Sequence, residues 1–170
     1  MNIIAINIPP KIPFKKIVKT LNYPYIRSSS AEVIYKIEDQ SFIFLYALGA
    51  YVLVNVTPAA AKEFKEKLLS LVPDIELEIK QELYEETYQL LINKKKKISV
   101  TDSDITIPAL KIEYLRIISL VLAESVEPSN RAGPPVGSAM GLASLRAGAG
   151  GIRTVLVSAF TGGVAVWPER

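Results

Sequence analysis

The strongest pattern in the chain lies at residues 41–72, SFIFLYALGAYVLVNVTPAAAKEFKEKLLSLV. Its first part, residues 42–54, carries no charge and is too short for a membrane-spanning helix, which needs about 20 apolar residues. Aromatic and β-branched side chains dominate this run, which favours strand. Because the run is apolar on both faces, we expect two strands in the middle of a sheet, joined at Gly49, where a turn can take positive φ.

Residues 57–72 predict a helix that packs against this sheet. Thr57 suits the N-cap and Pro58 the first helical position. The inward stripe follows helical spacing and comprises Ala61, Phe64, Leu68 and Leu71. The opposite side is charged, with Lys62, Glu63, Lys65, Glu66 and Lys67. Pro73 is expected to end the helix.

The segments before this core predict two further strands and a short helix. Residues 2–8 alternate and place three isoleucines on one face of a strand, Ile4, Ile6 and Ile8. Residues 13–21 predict a helix whose inward residues are Phe14, Ile17, Val18 and Leu21. We expect a loop at residues 22–30 and a strand at residues 32–37.

The segments after the central helix are less regular. Residues 75–79 alternate and predict a strand, whereas residues 83–92 allow helix or strand. We favour strand for residues 83–92, because the lysine run that follows is typical of an exposed hairpin leading to strand-like runs at residues 98–101 and 105–107.

Residues 109–126 predict a long helix that is apolar on two sides. One side is traced by Leu110, Tyr114, Ile117, Leu120, Val121, Glu124 and Ser125, and a second apolar stripe contains Ile112, Leu115, Ile118 and Leu122. A helix with this coverage is expected to touch two partners, the sheet and another helix or subunit. The exposed side of this helix is therefore our first candidate for self-association, with Ile118 and Leu122 as the residues to test.

The composition changes abruptly after this helix. Residues 1–130 contain 14 Lys and one Gly, whereas residues 131–170 contain no Lys and eight Gly. The net charge of +3 also lies in residues 131–170, so the basic pI is no argument for a nucleic-acid surface on the remainder. We expect an α+β domain at residues 1–129 and a low-complexity tail at residues 130–170 that is frameshifted, fused or flexible.

The composition also bears on chemistry and location. The chain has no Cys and no His, which excludes disulfides and thiolate nucleophiles and removes the commonest general base. No catalytic motif is recognisable and we expect no cofactor, so the sequence favours a non-enzymatic role without excluding an enzyme. The first eight residues predict a strand and lack the basic region of a signal peptide, which indicates a cytoplasmic protein of a bacterium or archaeon.

Short motifs offer weaker chemical hypotheses. Asp102 and Asp104 could share a magnesium ion, although a polar turn is the stronger interpretation. Glu85 and Glu86 lack a catalytic partner and fit a solvated strand. Residues 148–153, GAGGIR, resemble a phosphate loop only superficially, because no Gly-Lys-Ser/Thr follows.

Two further groups could contact a partner. The exposed run Lys94, Lys95, Lys96 and Lys97 could bind phosphate, an acidic lipid surface or a nucleic acid, with a solvated turn as the stronger interpretation. Tyr23, Tyr25 and Arg27 would suit base stacking, but packing is the default role of such aromatic residues. The sequence therefore gives no strong nucleic-acid signal.

The order of elements resembles the YagE/Rmd family, named for "required for meiotic nuclear division" and long a domain of unknown function. The resemblance covers roughly residues 30–130: the apolar strand closing on Gly49, the strand YVLVNV (residues 51–56), and the helix beginning TPAAAKEF (residues 57–64). The late helix is similar as well, because the family carries a Leu-Ala-x-Ser-Val segment that here is Leu122, Ala123, Glu124, Ser125 and Val126.

The resemblance implies an α+β domain followed by helices, often ending in membrane anchors, with no known catalytic residues. It also implies a link to translation, because the eukaryotic relatives are tied to mitochondrial translation as ribosome-associated scaffolds. This chain departs from the family after Ser129, where the glycine-rich tail replaces the expected helices.

These observations together predict an α+β protein with one mixed or antiparallel sheet, a packed helix and a long late helix. The function expected is a non-enzymatic scaffold that works through protein partners. The alternative is a small domain or enzyme that uses carboxylates and lysines to bind a phosphorylated ligand.

Overall fold

A computed structural model describes residues 1–8, 14–21, 23–71 and 84–126. Within them the chain forms eight strands in one sheet and three helices. In chain order these are β1 (Asn2–Asn7), α1 (Phe14–Leu21), β2 (Tyr25–Ser28), β3 (Glu32–Glu38), β4 (Ser41–Tyr46), β5 (Ala50–Val54), α2 (Pro58–Leu69), β6 (Glu85–Ile92), β7 (Ser99–Val100), β8 (Asp104–Ile107) and α3 (Ile112–Val126). The strand order is β2-β3-β4-β5-β1-β6-β8-β7.

The β4–β5 hairpin lies inside the sheet, as its apolar sequence predicts. The two strands pair antiparallel from Phe42 opposite Val54 to Tyr46 opposite Ala50. Gly49 has a φ of +93°, which confirms the role expected of glycine at this turn. β5 in turn pairs with β1, so the run of residues 42–54 is enclosed by paired strands on either side.

β1 is also a central strand, between β5 and β6. Its two faces are both covered: Ile3 and Ala5 lie in one core cluster, and Ile6 and Ile8 in the other. The prediction that Ile4, Ile6 and Ile8 share a face is confirmed, with Ile4 only partly buried.

The sheet is mixed because β6 and β8 run parallel. Gln89 pairs with Asp104 and Ile92 with Ile107 in this pair, and β7 then pairs antiparallel with the other side of β8. The strand predicted at residues 83–92 is confirmed, but the hairpin expected after it is wrong. β8 lies between β6 and β7, so the lysine run opens a crossover that returns the chain to a parallel neighbour.

Helices cover the sheet on both faces. α3 packs against β1, β4, β5 and β6 and encloses one core with Ile34, Phe44 and Val52. α1 and α2 contact each other and enclose the second core on the opposite face, around Tyr35, Tyr51 and Phe64. The α+β class and the mixed sheet are confirmed, and the two-faced burial explains why residues 42–46 of β4 and all of β5 are apolar.

The N-terminal signals of the central helix correspond to the observed start of α2. The Thr57 hydroxyl accepts a hydrogen bond from the Ala60 amide at 3.3 Å, and Pro58 is the first helical residue of α2. The predicted inward residues Phe64 and Leu68 are buried. The late helix begins at Ile112, three residues after the predicted start.

The expectation that Pro73 ends the central helix is wrong, because α2 ends at Leu69 with Ser70 as its C-cap. Two predictions lie outside the described residues, namely the strand at residues 75–79 and the tail at residues 130–170. None of the helices in the described ranges is long and apolar enough to span a membrane.

Candidate functional site

The inner side of α3 belongs to the core. Ile118 and Leu122 are both 0% exposed and pack with the residues of β1 and β5. The prediction that they form part of an exposed surface is wrong, because the sheet takes up the stripe on which they lie. Leu120 is the large apolar residue of α3 that faces outward, so self-association through this helix stays a prediction that concerns Leu120 instead.

The C-terminal end of α3 is fixed to β6 through the Leu-Ala-x-Ser-Val segment. Leu122, Ala123 and Val126 are fully buried. The Ser125 hydroxyl lies 2.8 Å from Glu86 Oε2 and 2.8 Å from the Leu122 carbonyl, so it links the helix to the neighbouring strand. In this structure the segment has a packing role, because its one long polar residue, Glu124, is the member that is exposed.

The other half of α3 is fixed to β3 by a buried carboxylate. Glu32 has a side chain that is only 7% exposed, and two arginines contact it. Arg116 approaches with both Nε, 2.9 Å from Oε2, and Nη2, 2.6 Å from Oε1. Arg27 of β2 adds an Nε donor 2.9 Å from Oε1. We call Arg27, Glu32 and Arg116 the arginine corner.

Tyr46 connects this corner to the core. Its hydroxyl donates to the Arg116 carbonyl at 3.2 Å. Burial raises the pKa of Tyr46 well above its ordinary value, and the nearby Glu32 carboxylate raises it further. The phenol therefore stays neutral and acts as a hydrogen-bond donor at neutral pH.

The lysine run forms a defined, exposed turn after β6. The Asn93 side chain accepts from the Lys95 amide at 3.1 Å, and the Asn93 carbonyl accepts from the Lys96 amide at 3.1 Å. Lys94, Lys95, Lys96 and Lys97 are all exposed, and no salt bridge to them is found among the described residues. The four ammonium groups are thus displayed on a turn whose backbone is fixed by Asn93.

Two apolar side chains precede this turn at the surface. Leu91 and Ile92, the last residues of β6, are each 46% exposed. As consecutive strand residues they lie on opposite faces of the sheet, immediately before the turn that carries the lysines. We call Leu91, Ile92, Lys94, Lys95, Lys96 and Lys97 the basic corner. The sequence identifies its lysines, but Leu91 and Ile92 were expected to be ordinary strand residues.

The residues considered for base stacking have separate roles. Tyr23 packs edge-on against Tyr35, with ring centroids 5.9 Å apart, and Lys67 Nζ lies 4.5 Å from the Tyr23 ring centroid. Lys67 also forms a 2.6 Å salt bridge with Glu63, which lowers the pKa of that carboxyl and raises the pKa of the Lys67 ammonium. Tyr23 is therefore a packing residue at the rim of the second core, as the default interpretation holds.

Tyr25 and Ile26 of β2 are different, because the sequence did not predict their strand. They are 62% and 52% exposed, the highest values among the large apolar residues of the described ranges. Among the described strands β2 forms one edge of the sheet, and its register with β3 shifts between Tyr25 and Arg27. An exposed edge strand has no alternating pattern, which explains why residues 22–30 resembled a loop.

The carboxylates considered for metal binding or for catalysis form local contacts. Asp104 Oδ2 lies 3.2 Å from the Ser103 hydroxyl and its amide donates to Thr101 Oγ1 at 2.9 Å, which is a polar turn before β8. Glu86 accepts from Ser125 and from the Tyr84 hydroxyl, the latter at 3.1 Å. The described residues contain no cluster of three or more potential metal-ligating side chains. The glycine-rich segment at residues 148–153 lies outside the described residues.

Three features of this geometry are therefore candidates for function: the basic corner, the arginine corner and the exposed strand β2. Comparison of the chain with protein-family models, with curated proteins and with solved structures finds no match.

Proposed function

We propose that this protein is a non-enzymatic scaffold domain that docks on an anionic partner through the basic corner. The observation that supports this proposal is the joint exposure of Leu91 and Ile92 beside four lysines on a turn fixed by Asn93. Apolar contact area provides affinity, and the ammonium groups provide attraction to negative charge and orientation on the partner.

The assembly we propose for this docking is the ribosome. This part rests on the resemblance of residues 30–130 to the YagE/Rmd family, whose eukaryotic members act with mitochondrial ribosomes. A ribosomal particle offers both acidic protein surface and RNA phosphate, and the basic corner suits either through the same charge attraction. The proposal also places the protein in the cytoplasm, where such particles are found.

Co-sedimentation of the tagged full-length chain tests the proposal in a lysate of the organism that encodes it. We expect the protein to migrate with ribosomal particles at moderate salt and to leave them at high salt. Replacement of Lys94, Lys95, Lys96 and Lys97 by Ser should move it to the top of the gradient. Replacement of Leu91 and Ile92 by Ser should weaken association without steepening its salt dependence.

A matched control distinguishes binding by the basic corner from general attraction to positive charges on the protein. Lys15, Lys19, Lys62 and Lys65 are exposed on α1 and α2, and their replacement by Ser removes the same four charges elsewhere. We expect this variant to co-sediment like the wild type. Equal loss in both variants would indicate non-specific attraction, and a wild-type protein that stays at the top would remove the translation link.

A further inference from the structure

We propose that the arginine corner and strand β2 form a second binding site, which takes an acidic, extended segment of a partner protein. In this site the carboxylate of an Asp or Glu of the partner bridges Arg27 and Arg116, while its apolar side chains lie on Tyr25 and Ile26. The site lies on a different surface from the basic corner and does not depend on the function proposed for that corner.

The first argument is charge. Two guanidinium groups contact the same oxygen of one carboxylate, Glu32 Oε1, and are therefore close neighbours. The corner thus holds two positive charges against one negative charge. The surplus charge lies at the surface, because both arginine side chains are about half exposed while Glu32 is buried beneath them.

The second argument is the supply of unused donors. Arg27 contacts Glu32 only through Nε, so within the described residues its terminal nitrogens Nη1 and Nη2 have no acceptor. Arg116 contacts Glu32 through Nε and Nη2, so its Nη1 also has no acceptor within the described residues. A guanidinium is planar and presents its outer N–H groups in a fork that matches a carboxylate.

The chemistry of the corner selects a carboxylate over a phosphate. One monoanionic carboxylate would bring the sum of charges at the corner to zero. A phosphate dianion would leave surplus negative charge close to the buried Glu32 carboxylate, which repels it.

The third argument is the edge of the sheet. β2 pairs with β3 on one side only within the described residues, so its outer backbone groups are available to an extended partner segment. The register shift between Tyr25 and Arg27 limits regular pairing to a short stretch. Affinity must therefore come mainly from Arg27 and Arg116 and from the exposed side chains of Tyr25 and Ile26.

Fluorescence anisotropy with the full-length chain tests this site. The probe is a labelled peptide in which Asp and Val alternate, and the comparison peptide replaces every Asp by Asn. We expect saturable binding of the Asp peptide and at least tenfold weaker binding of the Asn peptide. Backbone amides of β2 should gain protection from hydrogen exchange when the Asp peptide is bound.

Arg27→Gln is the informative variant, because Glu32 keeps both contacts with Arg116 and the fold is retained. We expect at least tenfold weaker binding of the Asp peptide, partial recovery in Arg27→Lys, and no change in Lys65→Gln, which alters charge equally on α2. Replacement of Lys94, Lys95, Lys96 and Lys97 by Ser should also leave peptide binding unchanged, so this site and the basic corner fail or succeed separately.

Four results would overturn the inference. The first is equal binding of the Asp and Asn peptides, and the second is equal loss in Arg27→Gln and Lys65→Gln. The third is tighter binding of a phosphoserine–valine peptide than of the Asp peptide, which would assign the corner to phosphate. Absence of any saturable binding by the Asp peptide would overturn it as well.

Discussion

Gly49 has a backbone conformation that other residues adopt only with strain. Its φ of +93° lies in the region that favours glycine, whereas an added Cβ would make only an ordinary contact with the Ile8 carbonyl at 3.5 Å. We therefore expect Gly49→Ala to lower the free energy of unfolding by about 1–2 kcal/mol through backbone strain alone. Urea denaturation followed by circular dichroism measures this difference.

Gln40 provides the matched control for that prediction. It has a φ of 61° in the turn between β3 and β4, and its side chain is exposed. Gln40→Gly relieves the same kind of strain but adds freedom to the unfolded chain, so we expect a change within about 0.5 kcal/mol. If Gly49→Ala were as mild as Gln40→Gly, positive φ would not be the reason for glycine at position 49.

Glu32 is the residue on which the arginine corner depends for stability. Glu32→Gln keeps the size of the side chain but removes the charge that Arg27 and Arg116 share. We expect the free energy of unfolding to fall by about 1–3 kcal/mol, since charged hydrogen bonds are lost while the half-exposed arginines regain water. Glu66→Gln, at an exposed 3.8 Å helix pair, should change it by less than about 0.5 kcal/mol.

At the scale of elements, α3 is a core helix whose inward-facing residues are essential for the stability of the fold. Ile118 is fully buried against the sheet, so Ile118→Ala is expected to cost about 2–5 kcal/mol in unfolding free energy. Leu120→Ala, on the outward side of the same helix, should cost less than about 1 kcal/mol. Chemical denaturation of both variants measures the contrast, and equal costs would contradict the observed orientation of α3.

The elements that the sequence predicts well are those whose pattern arises from burial. The β4–β5 hairpin and α2 carry apolar periodicity, a turn glycine and an N-cap, and all of these are local signals. β2 was missed because every residue of this edge strand is exposed. The pairing of β6 with β8 was also missed, since periodicity reports which face is buried and not which strand is the neighbour.

At the scale of the whole molecule, one candidate site has a local sequence signal and the other is created only by the fold. The lysines of the basic corner were predicted, because a run of charges is visible in the sequence. The arginine corner was not, because Arg116 lies 84 positions from Glu32 and only the fold brings them together. Ile118 and Leu122 were assigned to the surface because sequence pattern alone cannot show which stripe of a doubly apolar helix the sheet covers.

Four buried tyrosines should govern the stability of the whole molecule in alkali. Burial raises the pKa of Tyr35 and Tyr88 to about 12 and raises the pKa of Tyr46 and Tyr51 as well, compared with 10.0 for an unfolded chain. Above pH 10 the unfolded state therefore loses phenolic protons that the folded state keeps. Their stabilising contribution, complete below pH 10, is lost as the pH rises through the raised pKa of each folded-state phenol, which for Tyr35 and Tyr88 is about 12.

Urea denaturation at a series of pH values measures this fall, to which each such tyrosine adds about 1.4 kcal/mol per pH unit. Tyr35→Phe removes a buried hydroxyl that has no hydrogen-bond partner among the described residues. We expect the free energy of unfolding at pH 7 to stay the same or to rise by up to about 1 kcal/mol. The fall of this free energy above pH 10 should become shallower by the contribution of one tyrosine. An alkaline slope that is the same in Tyr35→Phe and in the wild type would contradict burial of this phenol as the cause.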